Sequence, residues 1–409
     1  MIECKGMPIV RILLILSMRE KKDRVDSRLR YAYFMKIQNR IIGAGQPAFI
    51  IAELSGNHHQ SYEEAVELVM AAKEAGADAV KLQTYTPDTI TLNSAKKPFI
   101  VGGKDQSDSW KGNSLYELYQ TAYTPWDWQP KLKKLADELG IILFSSPFDD
   151  TAVDFLEREV EVPAFKVASY EAVHIPLLKK IAKTGNPVIM SIGFASSEEV
   201  SLAVQTLREN GASEIAILHC VTGYADVPNV DAMNLATIAD IRERYGVEAG
   251  FSDNNGGVEM PVAAVVEGGA SLIEKHLILD RQSGGPDARF SVDPAQLKRI
   301  AQLIRRAEAG EREAVLHEIG VEQVERAMGK VHYGPASLQE EENKVFRPDT
   351  VWAKTDMKKG EKFVLGGNIR VARPTVYGSI RAKDFESLAG KRVARDIEFA
   401  DPIMPEDVE

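Results

Sequence analysis

Ala48-Phe49-Ile50-Ile51-Ala52-Glu53 is an unbroken apolar run that ends on a carboxylate. Such a run suits a parallel strand buried on both faces; a strand with one wet face alternates apolar and polar residues. Seven more short runs follow, at 79–84, 141–145, 164–169, 187–192, 214–220, 247–252 and 272–276. The stretches between them read as amphipathic helices. Ser61-Tyr62-Glu63-Glu64 carries a capping-box pattern and Gly76 closes that helix. Ser197-Glu198-Glu199 opens another, which Gly211 closes. Eight βα units between residues 48 and 276 predict an α/β fold, a (β/α)8 TIM barrel. A doubly wound open sheet is the rival, but no G-x-G-x-x-G follows the first run.

The pattern divides the chain into an N-terminal extension (1–46), a barrel (47–328), a charged linker (329–345) and a C-terminal module (346–409). Residues 85–123 read as a long insertion after the second strand, carrying Gly102-Gly103 and Trp110; loops of that length are usually functional. A helical stretch runs from about Arg299 to about Met328, and the linker contains Glu340-Glu341-Glu342-Asn343. The module holds β-prone pieces at 350–353, 369–372 and 392–394 among many turns. A unit so small is marginal alone, so it is expected to dock.

With 409 residues, a net charge of -10 and 44% hydrophobic residues, the chain can bury a large core. The acidic balance argues against nucleic acid as partner, yet leaves room for a locally cationic pocket and an anionic small substrate. Cys4 and Cys220 cannot make a disulfide framework or a cysteine-rich zinc site, which suits a reducing, cytoplasmic setting. The apolar run at 9–18, interrupted by Arg11, is too short for a bilayer of ~30 Å. Arg19-Glu20-Lys21-Lys22 stands where a signal peptide would have its cleavage site. Residues 1–34 are therefore read as an upstream extension before a natural start at Met35, with a short membrane-surface helix as the competing reading.

In such barrels the chemistry sits at the C-terminal ends of the strands. Those ends supply Glu53, Lys81 with Gln83, Ser145-Ser146, Lys166 with Ser169 and Glu171, Ser191, Thr222 with Tyr224, Ser252-Asp253, and Glu274 with His276. Lysines inside buried strands need a reason, because charged residues are almost never fully buried unpaired. Lys81 and Lys166 with nearby serines suit a phosphate or carboxylate. Two separate lysine–glutamate pairs lining the barrel are the plainer reading, and a Schiff-base nucleophile is a further option. His276, between Glu274 and Asp280, is a metal ligand or a structural histidine; His58-His59 assist it or cap a loop. Asp287, in Gly284-Gly285-Pro286-Asp287, has turn formation as its plain role.

Several long motifs occur in order: Ala52-Glu53-Leu54-Ser55-Gly56-Asn57-His58, Lys81-Leu82-Gln83-Thr84-Tyr85-Thr86-Pro87-Asp88, Leu115-Tyr116-Glu117-Leu118-Tyr119, Phe144-Ser145-Ser146-Pro147-Phe148, Phe165-Lys166-Val167-Ala168-Ser169-Tyr170-Glu171 and Ile273-Glu274-Lys275-His276. Over residues 47–409 the chain resembles the sialic acid synthase family, and its Gln-Thr-Tyr-Thr-Pro-Asp stretch resembles the pseudaminic branch. The resemblance implies condensation of phosphoenolpyruvate with an N-acetylated aldose, of the 2,4-diacetamido-2,4,6-trideoxy hexose type. The products would be a nine-carbon 2-keto sugar acid and phosphate. The neuraminate and legionaminate branches are the alternatives, and a catalytically weak sugar-binding paralogue is the rival from another class.

The resemblance further implies a divalent metal, Mn²⁺ or Mg²⁺, and an antifreeze-like SAF module that swaps between the barrels of a homodimer. It assigns Lys81, Lys166, Ser169, Ser191 and Ser252 to phosphoenolpyruvate, and Glu53, Gln83, Tyr224 and Asp287 to the sugar. Glu171 and Glu274 match acidic positions at the reacting centre, with Glu53 and Lys166 also expected to act in catalysis. His276 matches a metal histidine, and Arg373 the arginine that the module inserts into its neighbour. Two departures stand out. The family's Ser-Asp-His is Ser252-Asp253-Asn254 here, which replaces the second metal histidine by a weaker ligand suited to harder cations. His58 and Asp253 are the candidate substitutes. Thr222-Gly223-Tyr224-Ala225 replaces the usual Thr-Tyr-Pro.

Overall fold

The computed structural model describes residues 34–101 and 112–409. The run at residues 9–18, Cys4, Gly102-Gly103 and Trp110 lie outside the described residues. An antiparallel hairpin, β1 (Phe34–Ile37) and β2 (Arg40–Gly43), comes first. Eight parallel strands follow: β3 (Phe49–Glu53), β4 (Ala79–Thr84), β5 (Ile142–Pro147), β6 (Phe165–Val167), β7 (Val188–Ser191), β8 (Ile215–Val221), β9 (Glu248–Asp253) and β10 (Leu272–His276). They close into a barrel, with β10 paired to both β9 and β3. Each expected run thus forms a strand, with bounds shifted by a few residues. β6 stops at Val167, two residues early, because Ser169–Val173 turns into a 3-10 helix.

Local chemistry explains the alternation. Ser61 caps the helix Tyr62–Ala75 by accepting from Glu64 N, and Gly76 closes it in the left-handed conformation. Ser196, one residue before the expected start, forms a capping box with Glu199 on the helix Ser197–Glu209. Asp293 does the same with Gln296 on Pro294–Arg306. Gly250 is needed in β9: a Cβ there would run into the Leu272 carbonyl and the Leu218 side chain, so only glycine lets β8 and β10 approach.

Residues 34–46 are not loose. Met35, Ile37 and Ile42 are buried in the main core. Lys36 N donates to Glu214 Oε1 at 2.9 Å, and Arg40 donates to Pro47 O at 2.9 Å. Both partners precede barrel strands, so the hairpin covers the N-terminal end of the barrel.

The expected insertion after β4 contains the short helices Pro87–Ile90, Lys97–Phe99 and Leu115–Ala122. It receives the C-terminal module. That module pairs β11 (Thr350–Ala353) with β12 (Ile369–Ala372) antiparallel; residues 392–394, expected as a strand, make only isolated bridges to Lys362 and Val408. Phe99 packs on Trp352 with ring centroids 4.6 Å apart, and Lys96 reaches Asp401 at 2.7 Å. Arg347 and Arg381 bond Glu199 at 2.6 and 3.0 Å. The module therefore docks on the barrel mouth of its own chain.

Candidate active site

Strand register brings the candidate residues to one end of the barrel. Glu53 lies opposite Lys81 on one side and His276 on the other, and Glu274 lies opposite Ser252. Lys81 Nζ forms an ion pair with Glu53, donates to Ser146 Oγ at 3.2 Å and stands 3.8 Å from Glu274 Oε1. Lys166 Nζ donates to Ser191 Oγ at 2.7 Å and to Val167 O at 2.9 Å, and also stands 3.8 Å from Glu274 Oε1. Ser252 Oγ donates to the same oxygen at 3.3 Å. Two separate lysine–glutamate pairs are thus not what the barrel contains. One carboxylate serves both ammonium groups.

The two lysines differ in their surroundings. Burial works against the charge on both. For Lys81 the Glu274 and Glu53 carboxylates outweigh burial and its pKa is raised. For Lys166 burial wins over Glu274, Lys81 adds repulsion, and the pKa is lowered. The charged form of Lys166 is therefore less favoured by its protein neighbours than that of Lys81. An anion bound beside it would favour its charged form.

Around this pair lies a polar belt. Gln83 Nε2 donates to Glu53 Oε1 at 3.0 Å and to Ser55 Oγ at 3.3 Å. Ser55 in turn hydrogen-bonds Asp287, whose carboxylate stands 3.9 Å from His276 Nδ1. Asp287 does more than shape a turn. Ser169 Oγ accepts from Gly193 N at 3.2 Å.

Arg373 enters from the module. Its Nε and Nη2 donate to Glu171 Oε1, the first at 3.1 Å, and its Nη1 donates to Tyr119 OH at 3.1 Å. The guanidinium lies among the rings of Tyr119, Phe148 and Tyr170, closest to Tyr170 at 4.8 Å. Burial pushes Glu171 up and Arg373 works against that. The expectation placed Arg373 in a neighbouring barrel; within this single chain it enters its own. No local pattern in the sequence signals this aromatic box. Its members come from three separate segments with no shared spacing.

The metal expectation needs correction in detail. Asn254 uses its Nδ2 on Cys220 Sγ at 3.3 Å. Neither proposed substitute is free. His58 uses both ring nitrogens, on Thr124 Oγ1 and Gln60 N at 3.0 Å each. Asp253 is taken by Lys275 at 2.7 Å and by Asn255. Asp280, whose side chain accepts from Gln282 N, caps a turn. No group of three or more His, Cys, Asp or Glu side chains suited to a metal occurs among the described residues. His276 does fit as a ligand. Burial, then the lysines, hold its pKa well below the usual value, which keeps it neutral, and its Nδ1 is buried without a hydrogen-bond partner. Glu171 Oε2 and Glu274 Oε2 are buried without a partner too. Buried polar atoms are nearly always paired, so three such atoms at one barrel mouth mark a place for a ligand.

Known proteins share this arrangement of modules. The NeuB family signature matches residues 68–314, and that of the SAF domain matches residues 348–409. Pseudaminic acid synthase of Campylobacter jejuni (strain 81-176) is 37% identical over 359 residues, covering 88% of this chain and 96% of that protein. Pseudaminic acid synthase of Helicobacter pylori is 35% identical over 366 residues, covering 89% and 98%. The crystal structure of spore coat polysaccharide biosynthesis protein SpsE from Bacillus subtilis superposes with a TM-score of 0.74 at 31% identity, covering 92% of this chain and 99% of that one. One signature takes in most of the barrel and these relatives align along nearly their full length: the chain belongs to the NeuB family.

Proposed function

We propose that the chain is a phosphoenolpyruvate-dependent synthase of pseudaminic acid, acting on a 2,4-diacetamido-2,4,6-trideoxy aldose. The supporting observation is the convergence of Lys81 and Lys166 on one carboxylate, with Ser146, Ser191 and Ser252 beside them. Relatives named pseudaminic acid synthase at 35% and 37% identity support the choice of sugar. N,N'-diacetyllegionaminic acid synthase of Campylobacter jejuni, at 32%, stands behind the second reading.

The methylene carbon (C3) of phosphoenolpyruvate attacks the aldehyde carbon and forms the new C–C bond, and the aldehyde oxygen takes up a proton. Water adds to C2, the carbon that bears the phosphate, and gives up the proton that balances the one gained by the aldehyde oxygen; phosphate leaves as the C2–O bond breaks and the 2-keto group forms. Lys166, Lys81, Ser169, Ser191 and Ser252 hold the donor's phosphate and carboxylate, offsetting their charge throughout. Glu274, between the lysines, orients the donor. Glu53 and Glu171 are the groups placed to take a proton from the attacking water or hydroxyl. Gln83, Asp287 and Tyr224 bind the sugar, and Arg373 closes the mouth. A divalent cation, Mn²⁺ or Mg²⁺, held by His276 and substrate oxygens, would supply Lewis-acid polarisation of the aldehyde.

The chain would work in the cytoplasm; among the described residues no helix is long and apolar enough to cross a membrane. A homodimer that exchanges modules belongs to the same reading. In such an exchange the module would make its barrel contacts with the partner chain. Phosphate release from phosphoenolpyruvate with a panel of N-acetylated aldoses tests the function. Release only with N-acetylmannosamine or the legionaminate precursor would move the chain to those branches. No release with any aldose and any divalent metal would favour a sugar-binding paralogue.

A further inference from the structure

We propose that Glu340, on the segment joining the barrel to the module, is a positioning residue that sets Tyr224 and with it the sugar side of the site. The inference rests on the synthase reading above for what binds at Tyr224. Residues 338–343 do not form a solvated linker. They form the helix Leu338–Asn343, capped by Ser337. Glu340 turns inward from it and is 3% exposed. Its Oε1 accepts from both Thr222 N and Thr222 Oγ1 at 2.8 Å, and its Oε2 accepts from Ala336 N at 2.6 Å. A buried carboxylate is costly unless hydrogen-bonded, and here three donors meet it.

Thr222 directly follows β8 and precedes Tyr224 by two residues. Tyr224 is held at φ 47°, a left-handed conformation strained for a tyrosine, which persists only where the surroundings enforce it. The surroundings on this side are Glu340 and Asn255, against which Gly223 packs so closely that a Cβ would collide with the Asn255 amide. The Tyr224 ring packs on Phe290 at 5.0 Å, and Phe290 on His276 at 4.9 Å. Its hydroxyl donates to Tyr170 OH at 3.4 Å, and Tyr170 lies under the Arg373 guanidinium. One side chain thus bridges the His276 wall and the Arg373 box. Its backbone is pinned from the same segment that carries the module.

Glu340→Gln is the test. An amide has one acceptor oxygen, so it cannot serve both Thr222 and Ala336. The KM for the aldose should rise about tenfold, while the KM for phosphoenolpyruvate, held by strand lysines, changes less than about twofold. Thr222→Val, which removes only the hydroxyl bond, should raise the aldose KM about threefold and add little to Glu340→Gln. Hydrogen exchange of residues 222–228 should speed up in Glu340→Gln, whether or not the chain turns over. An unchanged aldose KM in a folded variant, or equal rises for both substrates, would overturn the proposal. Unchanged exchange at 222–228 would overturn it as well. If Glu340→Gln does not fold, Thr222→Val decides by the same selectivity. Wild-type protein without phosphate release sinks the synthase reading instead, and the exchange measurement then decides the positioning.

Discussion

Glu274 Oε1 stands 3.8 Å from Lys81 Nζ and 3.8 Å from Lys166 Nζ, so a single carboxylate oxygen holds two buried ammonium groups in register. Glu274→Gln keeps the shape and the Ser252 bond but removes the charge. The lysines then repel each other without a mediator. Phosphate release should fall by about 10²- to 10³-fold, with the fold retained by circular dichroism.

Lys166→Ala should separate function from stability. The ammonium is desolvated and incompletely paired, so deleting it relieves an unfavourable burial. Turnover should vanish while the melting temperature holds or rises, the trade expected of a strained site. Wild-type rates in this variant would remove Lys166 from the donor site.

Arg373→Ala strips Glu171 of its only ion-pair partner among the described residues. The variant should lose about 3 kcal/mol of module docking, seen as easier proteolysis within 329–349, and most of its activity. Mixing Arg373→Ala chains with Lys166→Ala chains should restore part of the activity if modules exchange between barrels. Activity that stays absent after co-expression would confine Arg373 to its own chain.

His59 gives the fold a pH dependence. Its Nδ1 meets Glu64 Oε1 at 2.9 Å and its Nε2 meets the Gly284 carbonyl at 2.8 Å. Both partners only accept, so the imidazolium alone makes both bonds. Burial opposes the charge, yet Gly284 and Glu64 prevail and the pKa rises above 6.5. The stabilisation is therefore complete below 6.5 and lost as pH climbs through the raised value. The melting-temperature gap between wild type and His59→Gln should shrink from pH 6 towards pH 8. A gap that is constant or grows would rule out this role of His59.

Lys275 serves as the structural control. It is wholly buried behind the barrel wall, paired with Asp253 at 2.7 Å. Lys275→Met should cost about 3–5 kcal/mol in urea unfolding, because it orphans a buried carboxylate.

The barrel was readable because strands buried on both faces have continuous apolar runs, and charges inside those runs stand out. Glu53, Lys81, Lys166 and Glu274 were found that way. The same rule passed over Lys275, which sits in the run that ends at His276. Side chains alternate across a strand, so Glu274 and His276 face inward and Lys275 outward. Glu340 was hidden in Glu340-Glu341-Glu342, where composition suggests a solvated stretch and only the packed helix shows which glutamate turns in. Asn254 took its metal role from its place in a motif. Its contact with Cys220 depends on how β8 and β9 lie side by side, which no local pattern encodes.

The hairpin of β1 and β2 gives the barrel a floor. Met35, Ile37 and Ile42 are packed into the main core, so the hairpin covers apolar surface at that end. A chain shortened to begin after Gly43 would bare that apolar underside. It should aggregate before it loses any group that touches substrate.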